Sequence, residues 1–120
     1  MTTKINTDKH GNAAHGHDVV AYFTDGQPTP GSPSYTHTWN GATWQFASAE
    51  HRDTFAANPE RYAPQFGGYC ALGRAMGVSV NGSPKRWRIE EGKLFLNKNL
   101  MAQAMHGLFA GRIRKLAAKK

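Results

Sequence analysis

The stretch Tyr35-Thr36-His37-Thr38-Trp39-Asn40-Gly41-Ala42-Thr43-Trp44-Gln45-Phe46 alternates twice, as a half-buried strand does, around an Asn-Gly pair. Successive strand side chains point to opposite faces, so Tyr35, His37 and Trp39 share one face and Thr36 and Thr38 the other. Asn40-Gly41 suits the two left-handed positions of a type I′ turn, whose twist matches that of the paired strands. On the return strand Trp44 and Phe46 fall together. An antiparallel hairpin with an aromatic face is expected, and that face needs a partner layer.

The partner follows in the chain. Ser48 is a helix N-cap with Glu50 in the first turn, where a carboxylate suits the dipole. Phe55 is the main apolar anchor of that helix, and Asn58-Pro59 stops it. After a short turn through Tyr62, Gly67-Gly68 permits an unusual backbone path, and a helix is expected from Tyr69 to Gly77. A second hairpin pairs Arg86–Ile89 with Leu94–Leu96 around Glu90-Glu91-Gly92-Lys93. A long last helix is expected over residues 98–116. Its three- and four-residue apolar spacing predicts docking through Leu100, Met105, Leu108 and Phe109. The whole is a single compact α+β domain, two hairpins packed against about three helices.

Before the first hairpin, Asp18–Phe23 is a short apolar anchor, and three prolines between residues 28 and 33 enforce a loop. The expected division is a polar arm, residues 1–15, that is not a packed element, and a domain over 16–120.

The 120 residues suffice for one domain, and no apolar run is long enough to cross a bilayer. No secretory h-region precedes residue 18. A natural start at Met1 therefore implies a cytoplasmic protein, and a trimmed signal peptide a periplasmic one. The net charge is +7, but Arg112, Arg114, Lys115, Lys119 and Lys120 crowd the last nine residues, leaving only +2 on residues 1–111. Cations at a helix C-terminus account for that end. Basic residues do not interleave with the aromatics, which argues against nucleic acid.

Cys70 is the most reactive side chain. In the first turn of a helix its thiolate is favoured, which raises nucleophilicity and metal affinity; the competing expectation is a buried apolar cysteine. A lone cysteine excludes an internal disulfide and the multi-cysteine zinc motifs. His15-Gly16-His17 sets two imidazoles close together, able to join a thiolate on a soft metal. His37, His51 and His106 are individually expected to be structural, with His106 exposed on the last helix. No Ser-His-Asp arrangement, P-loop or GxGxxG is present.

The chain resembles the YHS-domain proteins, in particular the small stand-alone bacterial group. The resemblance rests on Gly16–Phe23, Trp44–Asp53, Asn58–Ala71 and Gly92–Asn97, in collinear order. It implies a metal-binding family found beside copper-transporting ATPases and in some multicomponent hydroxylases. Ala21, Ala47 and His51 stand where its metal-binding members have ligands, so only His51 could coordinate there. The stand-alone group shares the Gly67-Gly68-Tyr69-Cys70-Ala71 run, with selenocysteine in some members at the position of Cys70, which implies a functional thiol. Three functions follow as expectations. The first is a metal-binding protein, copper first and zinc next, with Cys70 and nitrogen from His17, His15 or His51. The second is a thiol-dependent redox protein in which Cys70 would be catalytic with a partner's thiol. The third is a non-catalytic domain that binds a protein partner.

Overall fold

The computed structural model describes residues 4–118, so Met1 and the tail cations Lys119 and Lys120 lie outside the described residues. The aromatic hairpin forms as the alternation requires: β1 (Ser32–Trp39) pairs antiparallel with β2 (Ala42–Phe46), with Trp39 opposite Ala42 and His37 opposite Trp44. Asn40 and Gly41 both take positive φ, as the turn demands. The second hairpin joins β3 (Ser83–Glu90) to β4 (Lys93–Asn97) through Glu91 and Gly92, again both at positive φ. These are two separate two-stranded sheets.

Helices cover them, and the domain is α+β. The apolar anchor after Asp18 is helical, α1 (Val19–Thr24), because the Asp18 carboxylate caps it by accepting the Ala21 N–H. Ser48 caps α2 (Ala49–Ala57) in the expected way, and Pro59 opens the short α3 (Pro59–Tyr62). One core collects Val19, Val20 and Tyr22 of α1, Trp44 and Phe46 of β2, Phe55 of α2, and Leu94 and Leu96 of β4.

Residues 4–15 are partly packed, with Ile5, Asn6, Ala13 and Ala14 buried and Lys4, Thr7, Lys9, His10 and His15 exposed, which corrects the expectation of an arm with no packed part. Ile5, Ala13 and Ala14 belong to this core. The Asn6 and Ala13 N–H groups donate to Gly67 O and Thr43 O, each at 2.9 Å. Alanines tuck a polar-looking segment against a sheet because they need no pocket, and the hydrogen bonds satisfy its backbone. Gly67 makes the approach feasible: its φ is +67°, and a Cβ there would collide with the Lys4 carbonyl oxygen.

The helix expected from Tyr69 opens two residues later, as α4 (Ala71–Ala75), with Tyr69 extended and Cys70 in the N-cap position. The expected single last helix is two: α5 (Leu100–His106) and α6 (Ala110–Ala118). Gly107 and Gly111 each weaken a continuous helix by about 1 kcal/mol relative to alanine. Between the two helices the Leu108 and Phe109 N–H groups make tight three-residue bonds to Met105 O and His106 O. The break redirects the stripe. Ile113 and Ala117 of α6 pack with Ala71 and Ala75 of α4 and Phe95 of β4, with Leu116 partly buried against them. Ala102 and His106 are the buried residues of α5. Leu108, expected in the core, is 80% exposed, and Leu100 and Phe109 are exposed with it. Leu108→Ala is accordingly expected to change stability by less than about 0.5 kcal/mol in a denaturant melt, the ordinary result at a surface site. A loss above about 2 kcal/mol, the cost of emptying a core position, would place Leu108 back inside.

Candidate functional site

Cys70 lies at the N-terminus of α4 with 2% of its surface exposed, in a small cluster with Leu72 and Ala102 that Val80 and Met105 cover. Its sulfur accepts the Gly73 N–H at 3.4 Å, and its S–H faces Asn97 Oδ1 at 3.7 Å. Asn97, fully buried at the end of β4, is the hinge of this region. Its Oδ1 also accepts the Leu72 N–H at 3.1 Å, which fixes the carboxamide orientation. The NH₂ group then donates to His106 Nδ1 at 3.0 Å.

That bond settles the tautomer. An Nδ1 that accepts carries no proton, so the His106 proton sits on Nε2. The ring is fully buried, which corrects the expectation of an exposed His106. Its Nε2 lies 3.5 Å from Glu90 Oε1 and has no hydrogen-bond partner among the described residues. Glu90 in turn holds Arg88 at 2.6 Å and Arg114 at 3.3 Å. Burial pushes the His106 pKa below its ordinary value, and although the Glu90 carboxylate pulls it upward, Arg88 and Arg114 add to the lowering. For Glu90, burial acts to raise the pKa but is outweighed, chiefly by Arg88, with His106 and Arg114 adding.

The depressed histidine has a pH consequence. A group whose folded pKa lies below its unfolded value contributes full stability above the unfolded value, about 6.5 for histidine, and loses it as pH falls through the folded value. His17 has the same sign, burial again being the first cause. Thermal midpoints are expected to fall on acidification below about pH 6.5, and His106→Gln is expected to flatten part of that slope. A midpoint that rises over this interval would contradict the buried neutral ring.

The other expected ligands stand apart from Cys70. His51, in the first turn of α2, brings Nδ1 to 2.7 Å from Asp18 Oδ2. Asp18 is fully buried, and the same carboxylate accepts the N–H groups of Ala21 and Ala47. With Nδ1–H donated to the carboxylate, His51 Nε2 is left as the acceptor, 3.5 Å from Thr24 Oγ1. His15 is exposed, and His17 Nδ1 lies 3.4 Å from the His15 carbonyl. Among the described residues no three His, Cys, Asp or Glu side chains come together as a metal-holding group. The structure thus pairs His51 with Asp18, and Cys70 with Asn97 and His106.

The sequence marks Asp18 only as the edge of an apolar anchor and His106 only as an exposed structural histidine, and it assigns Asn97 no role. Asp18 stands directly before an apolar run, an N-cap signal that a helix reading of Val19–Thr24 would have used. Nothing local marks Asn97 or His106, whose partners lie on other elements.

Chemically, Cys70 is a thiol with an acceptor for its proton and little access to solvent. A redox role would need local opening before an oxidant or a partner's thiol reached the sulfur. Iodoacetamide is expected to label Cys70 only under unfolding conditions; rapid labelling of the native protein would show the sulfur reached without unfolding.

Compared with family models, curated proteins and solved structures, the chain has no match. The YHS resemblance therefore stands on the residue runs between 16 and 97 alone. Among the described residues no helix is long and apolar enough to cross a membrane.

Proposed function

We propose that the protein is a non-catalytic interaction domain that docks an acidic partner protein on the surface formed by the turn after α4, the start of α5 and the α5–α6 joint. One observation carries it: Leu108, Met101, Met76 and Leu100 are 80, 72, 70 and 62% exposed, joined by Val78 and Phe109. Single exposed apolar residues are ordinary, but six large ones on adjoining elements are what a binding surface displays. The charge around them selects the partner. No acidic residue follows Glu91, while Lys98, Arg112 and Lys115 are exposed. A second copy would bring these cations against each other, so an acidic partner with an apolar face fits better. A lipid surface fits less well, because α6 spends Ile113 and Ala117 inside the core and keeps no apolar stripe of its own.

The test is a photoreactive amino acid placed at position 108 in cells, with position 36 on β1 as control, followed by identification of the captured chain and rebinding of the purified pair. An acidic protein captured from position 108 but not from 36, and bound again after purification, supports the proposal. Capture of this chain alone, of lipid, or equally from both positions overturns it.

Metal binding, copper first and zinc next, is a second reading favoured by the Asp18–His51 pair. A metal-ligating imidazole commonly donates its other N–H to a carboxylate, as His51 does here. Metal analysis of untagged protein tests it: near-stoichiometric copper or zinc that is lost in His51→Ala supports this reading, and none after anaerobic loading removes it. Loss in Cys70→Ser instead would place the metal at the thiol.

A further inference from the structure

The segment between α4 and β3 forms, with the turn before α1, an open cleft of about 610 Å³. His15, Ser79, Ser83 and Lys98 line it together with the apolar Val80 and Pro84, and none of its lining residues is acidic. It is a shallow surface cleft open to solvent, so a ligand there would rest against its lining rather than be enclosed.

The polar groups are donors. Ser79 Oγ accepts from Arg74 Nη1 at 2.8 Å, and Ser83 Oγ accepts the Lys85 N–H at 3.3 Å. Each hydroxyl therefore has one lone pair engaged and keeps its own proton to give, with a second lone pair open. Lys98 adds an exposed ammonium with three donors. Lys85 lies near enough for its charge to act on His17, which extends the positive field beside the cleft. His15 is held at the rim by a run of three left-handed residues, Ala14, His15 and Gly16, with φ of 52°, 51° and 76°. Two of them are not glycine, a conformation L residues rarely adopt unless their surroundings impose it. Here the burial of Ala13 and Ala14 imposes it, with the Gly16 N–H donating to Ala13 O and the Gly31 N–H to Gly16 O.

We propose that this cleft binds a phosphate monoester of a small organic molecule. The phosphoryl oxygens, acceptors only, meet the Lys98 ammonium and the Ser79 and Ser83 hydroxyls. Val80 and Pro84 cover the organic part. This site shares Lys98 with the rim of the partner-docking surface, but the proposed binding does not rest on that surface.

Phenyl phosphate, titrated at low salt into isotopically labelled protein and followed by amide chemical shifts, tests the proposal, with inorganic phosphate and benzoate as parallel arms. Shift changes are expected at residues 15–16, 79–85 and 98. Phenyl phosphate should bind more tightly than either comparison anion, since only it offers both the phosphoryl group and the apolar body. Lys98→Ala, a change at an exposed position that leaves the core intact, should weaken it by about tenfold or more through loss of a charge-assisted contact. Binding unchanged in Lys98→Ala, benzoate or inorganic phosphate binding as tightly, shift changes centred on Arg112 and Lys115, or no saturable binding would each overturn it.

Discussion

Phe55→Ala is expected to cost about 3–5 kcal/mol, read as a shift of the urea midpoint at unchanged slope. Phe55 of α2 stands where the aromatic face of the first hairpin closes on the helix. Its ring centroid lies 4.9 Å from Trp44, 5.1 Å from Phe46 and 5.9 Å from Trp39, and none of its surface is exposed. These rings are fixed on the two strands of one hairpin and cannot collapse together into the space a phenyl group leaves, so the cavity term is added to the lost transfer energy. Domains of this size have total stabilities of about 5–15 kcal/mol, so the loss is a large fraction of the whole. A loss below about 1 kcal/mol would mean that α2 does not close this core.

Asn97→Leu is the second large effect, expected at roughly 3–5 kcal/mol, because each buried polar group left unpaired costs about 1–3 kcal/mol. One carboxamide serves three partners: the Leu72 N–H, the Cys70 S–H and His106 Nδ1. Leucine has a similar volume but satisfies none of them. His106 is then the informative neighbour. With the Asn97 donor gone, Nδ1 is left without a partner inside the core, while Glu90 faces only Nε2. Stability near wild type would show that the network is not closed as described.

The strength of local signals decides how much of this was legible beforehand. The two hairpins, the Ser48 cap and the stop at Asn58-Pro59 follow from alternation and turn chemistry within a few residues, and they appear, the first hairpin with the expected faces. Cys70 at the start of a helix, preceded by unusual backbone at Gly67 and Gly68, was also legible, though the helix opens at Ala71 rather than Tyr69. The break in the last helix was less so. The apolar spacing of Leu100, Met105, Leu108 and Phe109 fits one continuous stripe, and only the packing of Ile113 and Ala117 against α4 and Phe95 shows that α6 turns to another face. The same non-local cause hides the site. His106 is buried because β4 supplies Asn97 and β3 supplies Glu90, and neither pairing leaves a mark in the residues around position 106. Residues 4–15 misled for the opposite reason: a polar composition suggests solvent, whereas Ala13 and Ala14 pack inside while the backbone finds its partners on β2 and Gly67.

The apolar surface formed by the turn after α4, the start of α5 and the α5–α6 joint is the centre of the functional account, and the affinity of the purified partner for wild type and for Leu108→Asp tests it most directly. Position 108 is exposed, so the substitution spares the fold while placing a charge in the middle of the proposed contact. The account predicts that calorimetric affinity falls by about tenfold or more, the loss expected when a buried interface anchor is replaced. Arg112→Glu should add a loss that shrinks as salt rises. An affinity unchanged by Leu108→Asp, with both variants folded, would contradict the account.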